Sequence, residues 1–144
     1  MNPADCIFCR IVAGAIPARK VLETGDCIAF LDVAPLAPGH TLLVPTTHYP
    51  SLDAMPADAA AAFMRHLPAL GKAIVDATAA EGFNVLLNNG SAAGQVVMHV
   101  HSHIIPRRRG DGLGYRWEPG RLADAEADAL RGRIEMALGA GNVD

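Results

Sequence analysis

Met98-His99-Val100-His101-Ser102-His103-Ile104-Ile105-Pro106 is the stretch on which the reading of this chain turns. Three histidines alternate with other residues. Alternate positions of a β-strand face the same side, so a strand here predicts three imidazoles in a row on one face. Imidazole titrates near neutral pH, ligates metals and can carry protons or attack phosphorus. Two chemistries fit such a row. One is a three-histidine catalytic zinc site. The other uses one imidazole as nucleophile, flanked by others that orient it and bind phosphate. The residues just upstream, Asn88-Asn89-Gly90-Ser91-Ala92-Ala93-Gly94-Gln95, favour the second. They are small and polar, and their glycines let backbone N–H groups approach an anion closely.

Working outward, Phe83–Leu87 reads as the strand before this loop, and Arg107–Tyr115 as a basic, glycine-rich loop after the histidines. Val21–Thr24 and Cys27–Leu31 read as a hairpin turned at Gly25-Asp26. Pro35, Pro38 and Gly39 mark a turn before a strand at Thr41–Val44. Pro56 opens the longest helix, running to Ala80, with Phe63, Leu67, Leu70 and Ile74 on its buried face and a kink at Pro68. Cys6–Val12 gives one or two helical turns, and Leu122–Leu138 a terminal amphipathic helix. This order describes an α+β fold with an antiparallel sheet.

The chain has 144 residues, 51% of them hydrophobic and 19% charged, with a formal net charge of −3. That suits one domain over residues 1–144 with an ample core. It argues against a general nucleic-acid binder, which carries a basic surface. No apolar run is long enough to span a bilayer, and no signal peptide is evident. Three cysteines, two of them in Cys6-Ile-Phe-Cys9, suit a reducing cytoplasm. Cys-x-x-Cys alone reads either as a redox pair or as half of a zinc site, and no βαβ pattern surrounds it.

Three separated segments resemble the histidine triad (HIT) nucleotide-binding family. They are Ile7-Phe8-Cys9-Arg10-Ile11-Val12 with Ile16-Pro17; Ala29-Phe30-Leu31-Asp32 with Pro35, Pro38-Gly39-His40, Leu42, Val44-Pro45 and His48; and Asn88-x-Gly90 through Gly94-Gln95 to the histidines and Arg107. The resemblance implies the HIT fold: a sheet of about five strands, one long central helix and a C-terminal helix. It implies a hydrolase or phosphoramidase acting at the α-phosphate of a purine nucleoside 5′-phosphate derivative. His101 would be the nucleophile, forming a covalent nucleotidyl-histidine, and His103 would contact the phosphoryl oxygens and leaving group. Asp32 would bind the ribose hydroxyls; Phe8, Ile11, Phe30 and Val33 the base; and Asn88, Gly94 and Gln95 the phosphate side.

The same resemblance, to the Hint-like bacterial branch, assigns Cys6, Cys9, His48 and His99 to one structural zinc of the closed Cys₂His₂ kind. It further implies a homodimer without membrane or nucleic-acid partners. A dinucleoside polyphosphate hydrolase is the neighbouring activity, with Arg107-Arg108-Arg109 as its support. A nucleotide sensor with little turnover is the alternative outside the enzyme class. Val96 stands where many similar proteins carry a serine that assists the leaving group. Ser102 stands where the pattern prefers an apolar residue, and needs a partner if buried. Cys27 reads as a small buried hydrophobe, His40 as structural, His66 as exposed, and Trp117 as a pocket or dimer residue.

Overall fold

In a computed structural model, residues 5–114 and 119–140 are described. They fall into two compact units, residues 1–113 and 114–144. The second carries helix α4 (Asp124–Ala140), whose first turn places Asp124 and Glu126 against the positive helix end. Trp117 lies outside the described residues.

The first unit is built on five strands: β1 (Lys20–Glu23), β2 (Cys27–Leu31), β3 (Thr41–Pro45), β4 (Gly82–Leu87) and β5 (Ser102–Arg107). Their order is β1-β2-β3-β5-β4, every pairing antiparallel. The hairpin predicted at Gly25-Asp26 is present. The Thr24 N–H reaches the Cys27 carbonyl at 2.9 Å, and the Thr24 hydroxyl accepts the Cys27 N–H at 3.0 Å.

Alternation along β2 and β3 divides the core in two. Cys27, Ala29 and Leu43 face one side, with Phe63, Leu70 and Ile74 from the long helical segment and Ile104 from β5. Ile28, Phe30, Leu42 and Val44 face the other, with Cys6, Phe8 and Ile11 from helix α1 (Ile7–Val12). A one-residue slip would exchange the two sets, so burial on both faces fixes the register.

The helix expected from Pro56 to Ala80 is two helices, α2 (Ala57–Met64) and α3 (Leu67–Thr78). Pro68 has no N–H for the Met64 carbonyl, so the hydrogen-bond ladder breaks and Arg65-His66 form a turn. A proline is tolerated there because the first N–H groups of α3 lack intrahelical acceptors in any case.

The histidine row also differs from expectation. β5 begins at Ser102, so His99 and His101 precede the strand and only His103 lies on it. The β3–β5 ladder stops at Leu43 opposite Ser102. Its continuation would reach Pro45, which has no N–H to give. The Val100 N–H turns instead to the Tyr49 carbonyl at 2.8 Å.

Candidate active site and metal centre

Backbone groups of known polarity fix the tautomer of each imidazole, because a carbonyl only accepts and an amide N–H only donates. The His99 carbonyl accepts from His101 Nδ1 at 2.7 Å, so His101 Nε2 keeps a bare lone pair. The Leu36 N–H donates to His40 Nδ1 at 3.1 Å, so the His40 proton sits on Nε2. His40 Nε2 then donates to His103 Nδ1 at 2.9 Å, which leaves the His103 proton on Nε2. His99 Nε2 donates to the Pro45 carbonyl at 2.9 Å, which leaves His99 Nδ1 bare.

Burial holds these rings neutral. It lowers the pKa of His101 and of His40. Burial, helped by the neighbouring His101 and His40, takes His103 down to about 4. The rings of His101 and His103 lie 5.0 Å apart, and the edge of Phe8 meets His101 at the same centroid distance.

The three triad imidazoles do not converge on one point. Among the described residues the compact metal-type clusters are Cys6/Cys9/His48/His99, Asp32/His40/His103 and Asp26/Cys27/His66. This removes the geometric basis for a three-histidine zinc catalyst. In the second cluster both His40 nitrogens and His103 Nδ1 are already hydrogen-bonded, which makes it a relay of imidazoles instead of a cation cage.

The first cluster has the dimensions of a closed tetrahedral site. Zn–S and Zn–N bonds of ordinary length give edges of about 3.6 Å for S–N and about 3.3 Å for N–N. Here Cys6 Sγ and Cys9 Sγ stand 3.4 and 3.5 Å from His99 Nδ1, Cys9 Sγ 3.3 Å from His48 Nδ1, and the two Nδ1 atoms 3.2 Å apart. The Pro45 carbonyl aims the bare His99 nitrogen into the group. Burial, with Cys6 alongside, pushes the Cys9 thiol up to about 11. Two soft sulfurs and two imidazoles, with one lone pair pointed inward, fit zinc.

The remaining expected site residues spread over three settings. Phe8, Ile11 and Phe30 are buried together beneath the histidines. Val33 is 92% exposed. Asp32 lies between them in sequence; its Oδ1 takes the Ala34 N–H at 2.9 Å and its Oδ2 stands 3.6 Å from His40 Nε2. Asn88 Nδ2 reaches the Gly94 carbonyl at 3.4 Å, and Gly94 holds φ +88°, where a side chain is disfavoured.

Gln95 corrects its expected role. Its side chain is buried and saturated within the protein: Oε1 takes the Gly90 N–H at 2.8 Å, and Nε2 gives to the Pro50 and Val97 carbonyls at 2.7 and 3.0 Å. It braces the loop and has no polar group left to offer a phosphate. Val96 beside it is 87% exposed.

Two arginines of the basic run are likewise engaged, and the third, Arg109, is 95% exposed. Arg107 binds Asp111, Asn84 and the Leu113 carbonyl; Arg108 binds the Thr78 carbonyl; and Arg109 pairs with Glu81. Ser102 is buried with its hydroxyl unpartnered. His66, expected to be exposed, is tucked against Asp26 at 3.4 Å. His40 is the residue that sequence reasoning undervalued. Its signal was the Pro38-Gly39-His40 turn, which the HIT pattern includes.

Residues 13–110 match the HIT domain profile. The chain belongs to the HIT family. It is 47% identical over 109 residues to an adenylylsulfatase of Arabidopsis thaliana, covering 76% of this chain and 55% of that protein; the chain thus spans about half of that relative's length. It is 40% identical over 135 residues to an adenosine 5′-monophosphoramidase of Schizosaccharomyces pombe, covering 93% of this chain and 98% of that one. A HIT family protein of Bacillus subtilis superposes with a TM-score of 0.86 at 38% identity, covering 92% and 96% of the two chains. A zinc-bound histidine triad protein of Mycobacterium smegmatis superposes at 0.74 and 34% identity, covering 96% and 99%. With relatives of this kind the chain is a hydrolase of the HIT family. Its five-stranded antiparallel sheet with flanking helices is the HIT fold.

Proposed function

We propose that the protein binds a purine nucleoside 5′-phosphate derivative and hydrolyses it at the α-phosphorus, with His101 as nucleophile. One observation carries this reading: the His99 carbonyl holds the His101 proton on Nδ1, leaving a neutral Nε2 lone pair that needs no separate base. Nε2 attacks phosphorus, the Nε2–P bond forms, and the bond to the leaving group breaks. Water then attacks the same phosphorus, releasing the nucleoside monophosphate and the free imidazole.

His103 presents Nε2–H, the only ring N–H it carries in the tautomer set by His40 and the Leu36 amide. That hydrogen pairs with the phosphoryl oxygens and leaving group as charge develops there. Asp32 keeps Oδ2 for the ribose hydroxyls, while Phe8, Ile11, Phe30 and Val33 form the base side. Asn88 and the Gly94 backbone form the phosphate side, with Gln95 as the brace of that loop.

Cys6, Cys9, His48 and His99 hold one structural zinc in this reading. Bound there, zinc supplies a crosslink between the N-terminal segment, the end of β3 and the approach to β5, with no open position for chemistry. Its ligands place Phe8, two residues from Cys6, against His101. A cytoplasmic homodimer is the expected working form.

The relatives named as adenosine 5′-monophosphoramidases and adenylylsulfatase make adenosine phosphoramidate and adenylyl sulfate the first substrates to test. The dinucleoside polyphosphate reading keeps Arg109 as its support, 95% exposed, while Arg107 and Arg108 are bound locally. The test is radiolabelled adenosine phosphoramidate mixed with protein and quenched in base. Label retained on wild type and absent from His101→Ala is the expected result. Turnover by His101→Ala at the wild-type rate would overturn the nucleophile. Tight binding without label or product would mark a sensor.

A further inference from the structure

We propose that Asp26, Cys27 and His66 form a second site for a borderline-soft divalent cation such as zinc or cobalt, on the face of the sheet opposite the catalytic histidines. One carboxylate oxygen, the Cys27 sulfur and a His66 nitrogen lie within 4.8 Å of one another. Oxygen, sulfur and nitrogen donors together match zinc-type cations and do not suit magnesium or calcium. His66 Nε2 stands 3.4 Å from Asp26 Oδ1, and tetrahedral zinc of ordinary bond lengths sets an N–O edge of about 3.4 Å. The Cys27 thiol is wholly buried and makes no hydrogen bond among the described residues. It nonetheless sits beside a carboxylate and an imidazole.

Two independent pieces of backbone bring the donors together. Asp26 and Cys27 are consecutive at the β1–β2 turn, which the Thr46 N–H fixes by donating to the Asp26 carbonyl at 2.9 Å. His66 lies in the turn between α2 and α3 that Pro68 opens. Cys27 faces the helix side of β2, with Phe63 and Leu70, whereas the Cys6/Cys9 cluster belongs to the other side. The two sites share no ligand.

The carboxylate is ionised and ready. Hydrogen bonding from Thr24, then from His66, and the Arg65 charge hold Asp26 below its usual range. Its present partners are the Thr24 hydroxyl at 2.6 Å and His66 on Oδ1, and Arg65 at 2.6 Å on Oδ2. The Arg65 side chain is 63% exposed, so its surface ion pair gives way at small cost as a cation enters. Binding releases the Cys27 thiol proton to solvent and forms the metal–sulfur bond. The His66 hydrogen that Nε2 now turns toward Asp26 passes to Nδ1, which frees the Nε2 lone pair for the cation, and water completes the fourth position. The bound cation would clamp the hairpin to the helix break.

The experiment uses the full chain with the Cys₂His₂ group already loaded with zinc. Cobalt(II) is added, thiolate-to-cobalt absorption is followed, and zinc and cobalt are counted after desalting. The expected result is one further equivalent of cobalt with zinc retained. His66→Gln should weaken that binding by more than the roughly 10–100-fold typical of an outer-shell change, and Cys27→Ala should remove the absorption. No cobalt beyond the zinc-loaded group, cobalt bound only as zinc leaves, or His66→Gln binding like wild type would each overturn the site. If Cys27→Ala does not fold, His66→Gln decides alone.

Discussion

Gln95→Glu is a change of one atom in shape and a reversal in chemistry. The wild-type Nε2 donates to the carbonyls of Pro50 and Val97 at 2.7 and 3.0 Å, in a position only 3% exposed. A carboxylate there would place negative charge against two acceptors in a dry site. It escapes by taking up a proton, since burial and like-signed partners both raise a carboxyl pKa. A glutamate of unperturbed pKa about 4.3 that must be protonated to fold costs about 3.7 kcal/mol at pH 7 and about 1.1 kcal/mol at pH 5. The protonated acid has one donor where the amide had two, which adds about 1 kcal/mol at any pH.

The sign follows from linkage. The folded-state pKa is raised, so the folded variant binds more protons than its unfolded chain, and the penalty shrinks as pH falls. The variant's deficit against wild type is therefore about 2.6 kcal/mol smaller at pH 5 than at pH 7. Urea unfolding of both proteins at the two pH values measures it, each pH serving as its own reference. Gln95→Ala should show a deficit that does not move with pH. Because this side chain also ties down Gly90, kcat/KM of Gln95→Glu should recover in parallel relative to wild type. A deficit that is absent at pH 7, or equal at both pH values, would refute the bracing role.

Four further outcomes follow from the same structure. Ser102→Ala should be neutral or stabilising by up to about 1 kcal/mol in urea unfolding, since the buried hydroxyl has no partner to lose. Burial depresses the pKa values of His40 and His103, and takes His103 down to about 4, so the His103 contribution is full above the unfolded value near 6.5 and falls away as pH drops toward about 4; NMR titration should find the His103 ring neutral at pH 6. Gly71→Ala places a Cβ 2.3 Å from the Phe83 ring, a clash typical of overpacking costs of 1–3 kcal/mol set against a helix-propensity gain of about 1 kcal/mol. It should destabilise wild type yet stabilise Phe83→Ala by about 1 kcal/mol, and the same sign in both backgrounds would count against the contact. Metal analysis of protein purified without chelator should give about one equivalent of zinc, and chelation should expose the Ile7–Val12 segment to proteolysis before the sheet opens.

The elements whose borders the sequence revealed are those decided by local chemistry. The Gly25-Asp26 turn, the apolar run Cys27–Leu31 and the proline at the start of the helical segment all act within a few residues. The group Cys6, Cys9, His48 and His99 was legible from family resemblance, and the fold gathers those four positions as expected. The misread features depend on partners distant in sequence or on donors that no side-chain pattern records. The end of the histidine strand is set by Pro45, more than fifty residues upstream of His99. Gln95 could not be known as a brace before Pro50 was placed beside it, and His66 could not be seen to leave the surface before Pro68 broke the helix.

Loss of the regular strand before Ser102 is what separates the three histidines chemically. On an uninterrupted strand the rings of His99, His101 and His103 would share a face and a common environment. The backbone groups of residues 99–101 would then be committed to the ladder. Because the ladder stops at Leu43–Ser102, the carbonyls of His99 and Pro45 are available to imidazole N–H groups, and each orders a different ring. Pro45 turns the His99 lone pair toward two thiols; His99 turns the His101 lone pair away from its own backbone. The Leu36 amide, through His40, sets the third ring in the opposite sense, nitrogen to hydrogen. A proline without an N–H thus converts a repeated residue into three distinct groups. Restoring the donor with Pro45→Ala should leave the sheet intact while loosening His99. In the zinc-loaded protein that loosening should read as faster zinc loss to a chelator, and unchanged zinc release would show that the ring needs no carbonyl to hold it.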